Sequence, residues 1–165
     1  MQTKRLTLLA MYTAIALALS VIETLLPVPT PVPGVRLGLA NVVTLAALLF
    51  FSKKEAGMIL FARITLGSFF TGGLSTWLFS AAGGLLAFPV MAFTLKFLPK
   101  NQIWVTSVLG ALAHNAAQLT VAALYMRTPA IFAYSPVLII SAILTGIFTG
   151  LTAQHLLRYE KWLKP

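Results

Sequence analysis

Long apolar runs broken by short charged turns constrain this chain more than any other feature. Six segments, residues 6–26, 37–51, 56–70, 74–95, 103–126 and 136–157, are apolar over most of their length. A membrane-crossing helix needs about 20 mainly apolar residues, somewhat fewer where the bilayer thins. The second and third segments are short, about 15 residues each against that requirement. Between them, Ser52-Lys53-Lys54-Glu55 cannot remain in hydrocarbon as part of one continuous helix. The pattern therefore predicts a tight helical hairpin there, inside an all-α membrane protein built as a six-transmembrane-helix bundle. No linker, charge block, low-complexity stretch or convincing internal repeat divides the chain, so residues 1–165 are expected to form a single domain.

Composition narrows the chemistry. The chain is 59% hydrophobic and only 9% charged, outside the soluble range of roughly 45–50% apolar and about 25% charged. Its acids are three glutamates, Glu23, Glu55 and Glu160, and it has no aspartate. A carboxylate dyad for acid/base work, or a carboxylate pair holding a metal, has almost no material here. Having no cysteine removes thiolate metal sites, iron–sulfur clusters, disulfides and Cys nucleophiles together. No catalytic residue, no metal ligand and no cofactor are assigned, and the chain is not expected to be an enzyme. The net charge of +9 comes from Lys and Arg scattered between apolar runs rather than gathered on a basic face. No nucleic-acid partner is expected.

Those charges read instead as topology signals. Alternating loops place Lys4, Arg5, Lys53, Lys54, Lys96, Lys100, Arg158, Lys161 and Lys164 on one side, and Arg36 and Arg127 on the other, with Arg63 inside a span. The positive-inside rule then puts both termini in the cytoplasm of a multi-pass protein of the bacterial cytoplasmic membrane. Tyr125 and Tyr134 near the outer loop, and Trp104, Tyr159 and Trp162 near the inner face, suit interfacial belts or packing against neighbours. The first 20 residues also resemble a secretory signal, with Lys4 and Arg5 before an apolar run and Ala16-Leu17-Ala18 as a cleavage site. The run continues to Leu26, however, which is long enough to span.

In the first helix Ala10, Ala14 and Ala18 recur every four residues. A small-xxx-small stripe of this kind permits close approach by another helix, from within the bundle or from a partner. The following loop carries four prolines between Pro27 and Pro33, which makes it stiff and poor in backbone donors, whether as a spacer or as a lid over the outer mouth.

The chain resembles the membrane proteins grouped as the Gx transporter family, often labelled heptaprenyl diphosphate synthase component I. Those are similar to the substrate-binding S components of energy-coupling factor (ECF) transporters. The resemblance is carried by the Ala10/Ala14/Ala18 stripe, Pro33-Gly34-Val35-Arg36-Leu37-Gly38-Leu39-Ala40-Asn41, Arg63, Gly72-Gly73, Gly83-Gly84, and Gly110 through Gln118. It implies a six-helix bundle holding a small molecule near its outer face, with the first-helix alanines docked on a transmembrane scaffold subunit that binds two ATPase subunits. No P-loop pattern occurs in the chain, so ATP hydrolysis would come from those partners.

Polar side chains at membrane depth point to function unless they merely link helices. Arg63 lies nine residues past Lys54, about 13 Å along a helix, and His114 eleven residues past Ile103, about 16 Å along. The two are expected to share a depth and could face one cavity. His114 and Gln118 are four apart on one helix face, with Asn115 on its flank; an interhelical hydrogen-bond cluster is the plain alternative to a ligand site. Glu23 is the only acid on the outer side, with Arg36, Arg63 or a cationic ligand group as its partner. Asn41, expected about one turn into the second helix from outside, is a cap, a helix link or a contact. Around the outer third lie Phe69, Phe70, Trp77, Phe132 and Tyr134, of which one or two, Trp77 included, could stack on a ring. Glu23, Arg36, Asn41, Arg63, Trp77, His114, Asn115 and Gln118 thus form the candidate substrate site. A ligand with a negative group and a flat or prenyl-like apolar part would match it. Two other readings are a membrane anchor or redox-assembly protein that binds a quinone or flavin, and an accessory to prenyl diphosphate or quinone synthesis. Direct prenyl diphosphate synthesis is set aside, because such synthases resemble one another in aspartate-rich motifs that this chain lacks.

Overall fold

A computed structural model of the chain describes residues 2–25, 38–71 and 73–159. Arg36, the proline-rich stretch 27–33, Gly72 and Trp162 lie outside the described residues. The described chain is all helical: α1 (Gln2–Thr24), α2 (Asn41–Phe50), α3 (Lys53–Thr71), α4 (Gly73–Thr94), α5 (Ile103–Met126) and α6 (Ser135–Leu156). Short 3₁₀ turns at Lys100–Gln102, Pro129–Tyr134 and Leu157–Tyr159 precede α5, join α5 to α6 and follow α6.

Four stretches are long and apolar enough to cross a membrane: Thr3–Thr24, Gly73–Thr94, Lys100–Met126 and Pro129–Tyr159. Their outward faces carry Leu6, Ile22, Leu85, Leu124, Ile140 and Phe148, all more than half exposed. Apolar surface on that scale needs lipid to cover it, so the chain is a membrane protein.

The second apolar segment departs from expectation. Its described residues, 38–51, form a helix only over Asn41–Phe50, about 15 Å long and half the thickness of a hydrocarbon core. Gly38 explains its start: φ is +84° there, a left-handed turn that a helix cannot continue through. Phe51, extended at φ −121° and ψ 171°, ends it. Apolar nearly all round, α2 takes the place physics gives such a helix, the middle. It touches α1, α3, α4, α5 and α6, and Val43, Leu45, Ala46, Ala47 and Phe50 are buried.

The hairpin between α2 and α3 is as the sequence predicts, and its chemistry is a capping box. The Ser52 backbone N–H and hydroxyl donate to Glu55 Oε2 at 3.0 and 2.6 Å, and the Glu55 N–H donates back to Ser52 Oγ at 3.4 Å. Arg5 of α1 adds a bidentate ion pair to the same carboxylate, at 2.5 and 2.9 Å. Under that guanidinium, helped by Ser52, the Glu55 carboxyl is held down at about 2, against an ordinary 4.5.

These contacts bring the starts of α1 and α3 to one end of the bundle. The α6 terminus joins them, since Leu8 and Leu156 line one hollow. The start of α5 follows, because Trp104 abuts Gly150 of α6. Among the described residues, Lys4, Arg5, Lys53, Lys54 and Lys100 therefore lie toward one end, with Arg63 inside the bundle and Arg127 at the far terminus of α5. Between α5 and α6 the backbones nearly touch: a Cβ on Gly150 would lie 2.4 Å from Trp104 Cα, and one on Gly146 2.6 Å from Val108 Cα. A Ser107–Thr149 hydroxyl pair at 2.7 Å crosses the same seam. Gly146-x-x-x-Gly150 is thus a small-xxx-small motif used within the fold.

Candidate functional site

Two adjacent glycines organise the interior. At Gly83 of α4 an added Cβ would lie 2.5 Å from His114 Nδ1 and Cε1, so the imidazole of α5 rests directly on the α4 backbone. At Gly84 an added Cβ would lie 2.9 Å from Ile64, the residue after Arg63. The two glycines place Arg63 and His114 at one level on either side of α4, the shared depth that counting along the helices predicts. Both side chains are buried.

The start of α2 reaches the same level. A Cβ on Gly38 would lie 2.8 Å from Asn41 Nδ2 and 3.5 Å from His114 Cδ2. Asn41 is therefore not one turn into the second helix. It is the first residue of a helix that begins beside His114, about 16 Å from the start of α5. The physical reason is the shortness of α2: its far end is fixed in the basic-end hairpin, so ten residues reach only mid-depth.

Glu23 holds this turn in place. Its carboxylate Oε1 accepts from the Gly38 N–H and, at 3.2 Å, from the Leu39 N–H. Ala40, the cap residue, supplies no side-chain bond, so a carboxylate reaching over from α1 satisfies donors just ahead of the helix, at its positive end. One turn back on α1, Ser20 Oγ accepts from Arg63 Nη1 at 3.5 Å. Ser20 is a member of the cluster that sequence reading missed; its three-residue spacing from Glu23 was the available signal. Gln118, one turn beyond His114 on α5, is fully buried as well.

Glu23, Asn41, Arg63, His114 and Gln118 thus lie in the interior, contributed by α1, α2, α3 and α5, with Gly38 and Gly83 making room for the imidazole. Two other expected members lie elsewhere. Asn115 turns toward α6, where Nδ2 donates to the Leu138 carbonyl at 3.0 Å; one position along a helix rotates a side chain by about 100°, away from His114. Trp77 is half-buried over the α3–α4 seam, against Leu60, Ile64 and Ala81. Arg127 is exposed at the α5 terminus, with φ +50°. Ala10, Ala14 and Ala18 are exposed on the outer face of α1, whereas Ala16 is in the core.

Among the described residues no three His, Asp or Glu side chains gather to hold a metal ion. What the interior set offers is a guanidinium, a carboxylate, an imidazole and two carboxamides in a water-poor setting. Such a set can bind and orient an anionic or amide-bearing molecule.

Comparison with known proteins gives one family. The model for heptaprenyl diphosphate synthase component I matches residues 12–156. No curated protein and no solved structure matches the chain.

Proposed function

The chain belongs to the heptaprenyl diphosphate synthase component I family, and from that premise we propose that it is the membrane-embedded substrate-binding subunit of an ECF-type transporter. In this reading it lies in the bacterial cytoplasmic membrane with both termini inside, a six-helix bundle in which α2 reaches half-way. It takes up a small anionic molecule with an aromatic or prenyl-like part. It hydrolyses nothing itself; a transmembrane scaffold subunit and two ATPase subunits supply the work.

The observation that carries the reading is the start of α2 at mid-depth, among buried polar side chains from other helices. Transporters characteristically bind substrate near the bilayer midplane, at the ends of discontinuous helices whose positive N-termini face anionic groups. Structural helix links alone would not require a helix to begin there. Arg63 supplies fixed positive charge at that level. The exposed Ala10, Ala14 and Ala18 stripe adds a face on which a partner helix can approach closely.

The test is purification from its native membrane followed by native mass spectrometry. A retained small molecule, with co-purification of a scaffold and an ATPase pair, is the expected result. A retained quinone or flavin without ATPases would favour the anchor reading, and no retained molecule would remove the transport reading.

A further inference from the structure

Asn41 names the chemistry that the site recognises. Its side chain is 5% exposed, and neither Oδ1 nor Nδ2 has a hydrogen-bond partner. Nor does the residue act as a cap: Ala40 is the α2 cap, and the Asn41 N–H is taken by the Gly38 carbonyl at 2.9 Å. A buried donor and a buried acceptor left unmade are each costly, while an apolar residue of the same shape carries no such cost. A fold that only needed to fill this space would do better with leucine.

Building on the transport reading, we infer that the Asn41 carboxamide is a substrate contact, and that the substrate presents an N–H beside a C=O, as in a lactam, imide, ureide or primary amide. Both orphan atoms belong to one planar group, so one ligand edge with complementary donor and acceptor satisfies them together. A carboxylate or phosphate, which only accepts, would leave Oδ1 unmet. The anionic group of the ligand is left to Arg63, and the amide edge to Asn41. The Gly38 turn lies against Nδ2, and Glu23 holds that turn by its two amide bonds.

The experiment compares wild type with Asn41→Leu and Asn41→Ala in detergent. Thermal unfolding and native mass spectrometry of the retained molecule are the readouts. Asn41→Leu should melt about 2 °C or more above wild type, measured with the ligand stripped from both. Retention of the molecule should fall at least about tenfold in both variants, and fragmentation of the wild-type ligand should show an amide-type edge. A lower melting temperature for both variants would make Asn41 a structural link and overturn the inference. Retention unchanged by Asn41→Leu, or a ligand without the N–H/C=O pair, would overturn it while leaving the transport reading standing. A wild-type protein that retains no molecule removes the transport reading and the inference together.

Discussion

At Gly83 a single methyl group decides whether the interior can assemble. The His114 ring occupies the position an alanine Cβ would need, and the ring is walled in at 3% exposure. Overpacking of this kind costs about 1–3 kcal/mol. Gly83→Ala should therefore lower stability by that amount in a denaturant or thermal titration, and adding His114→Ala should recover most of it. Strictly additive losses would show that the two residues do not share the space. Arg63 is the residue on which ligand binding is most exposed to test. Arg63→Gln keeps a polar side chain of somewhat smaller size, so melting should stay near wild type. Affinity for the retained ligand should fall at least about tenfold, or about 1.4 kcal/mol. A stable variant with unchanged affinity would remove Arg63 from the site.

Among elements, α1 depends on polar contacts at both ends. Toward the basic end Arg5 grips Glu55 of α3; toward the other, Glu23 grips the Gly38 turn. The Arg5–Glu55 pair is partly exposed, so its worth is discounted by solvent and salt. Its pH dependence is nevertheless defined. Glu55 is depressed from 4.5 to about 2; the carboxylate's contribution is therefore complete above 4.5 and is lost as pH falls through about 2. Arg5→Gln should move the Glu55 titration midpoint upward toward 4.5, read by carboxyl NMR, with Ser52 still holding it somewhat low. An unmoved midpoint would mean that the clamp does not form in solution. The α5–α6 seam is less forgiving, because the clash at Gly150 is with Trp104 backbone, which cannot rotate away. Gly150→Leu should cost more stability than Gly83→Ala.

For the whole molecule, the orientation and docking faces are separate questions. A cysteine placed at Thr128 should label from outside intact cells, and one at Lys53 should not; the reverse pattern would invert the protein and its partner side. Ala14→Trp alters only an exposed position on α1, so the bundle should remain folded while co-purification of the scaffold is lost. A scaffold that still co-purifies would move docking to another face.

The sequence by itself determined the membrane setting, the helical class, the hairpin at Ser52–Glu55 and the common depth of Arg63 and His114. Each depends on local apolar length, on charge, or on a fixed rise per residue along a single helix. It could not determine that α2 stops at ten residues, because residues 37–40 are as apolar as their neighbours and only the Gly38 turn, anchored from α1 by Glu23, breaks the run. Nor could it separate Asn115 from His114 and Gln118, or send Trp77 to the α3–α4 seam. Which way a polar side chain on an apolar helix turns depends on the neighbours that pack against it. Those neighbours here are glycines and carbonyls from other helices, brought within contact distance only when the bundle closes.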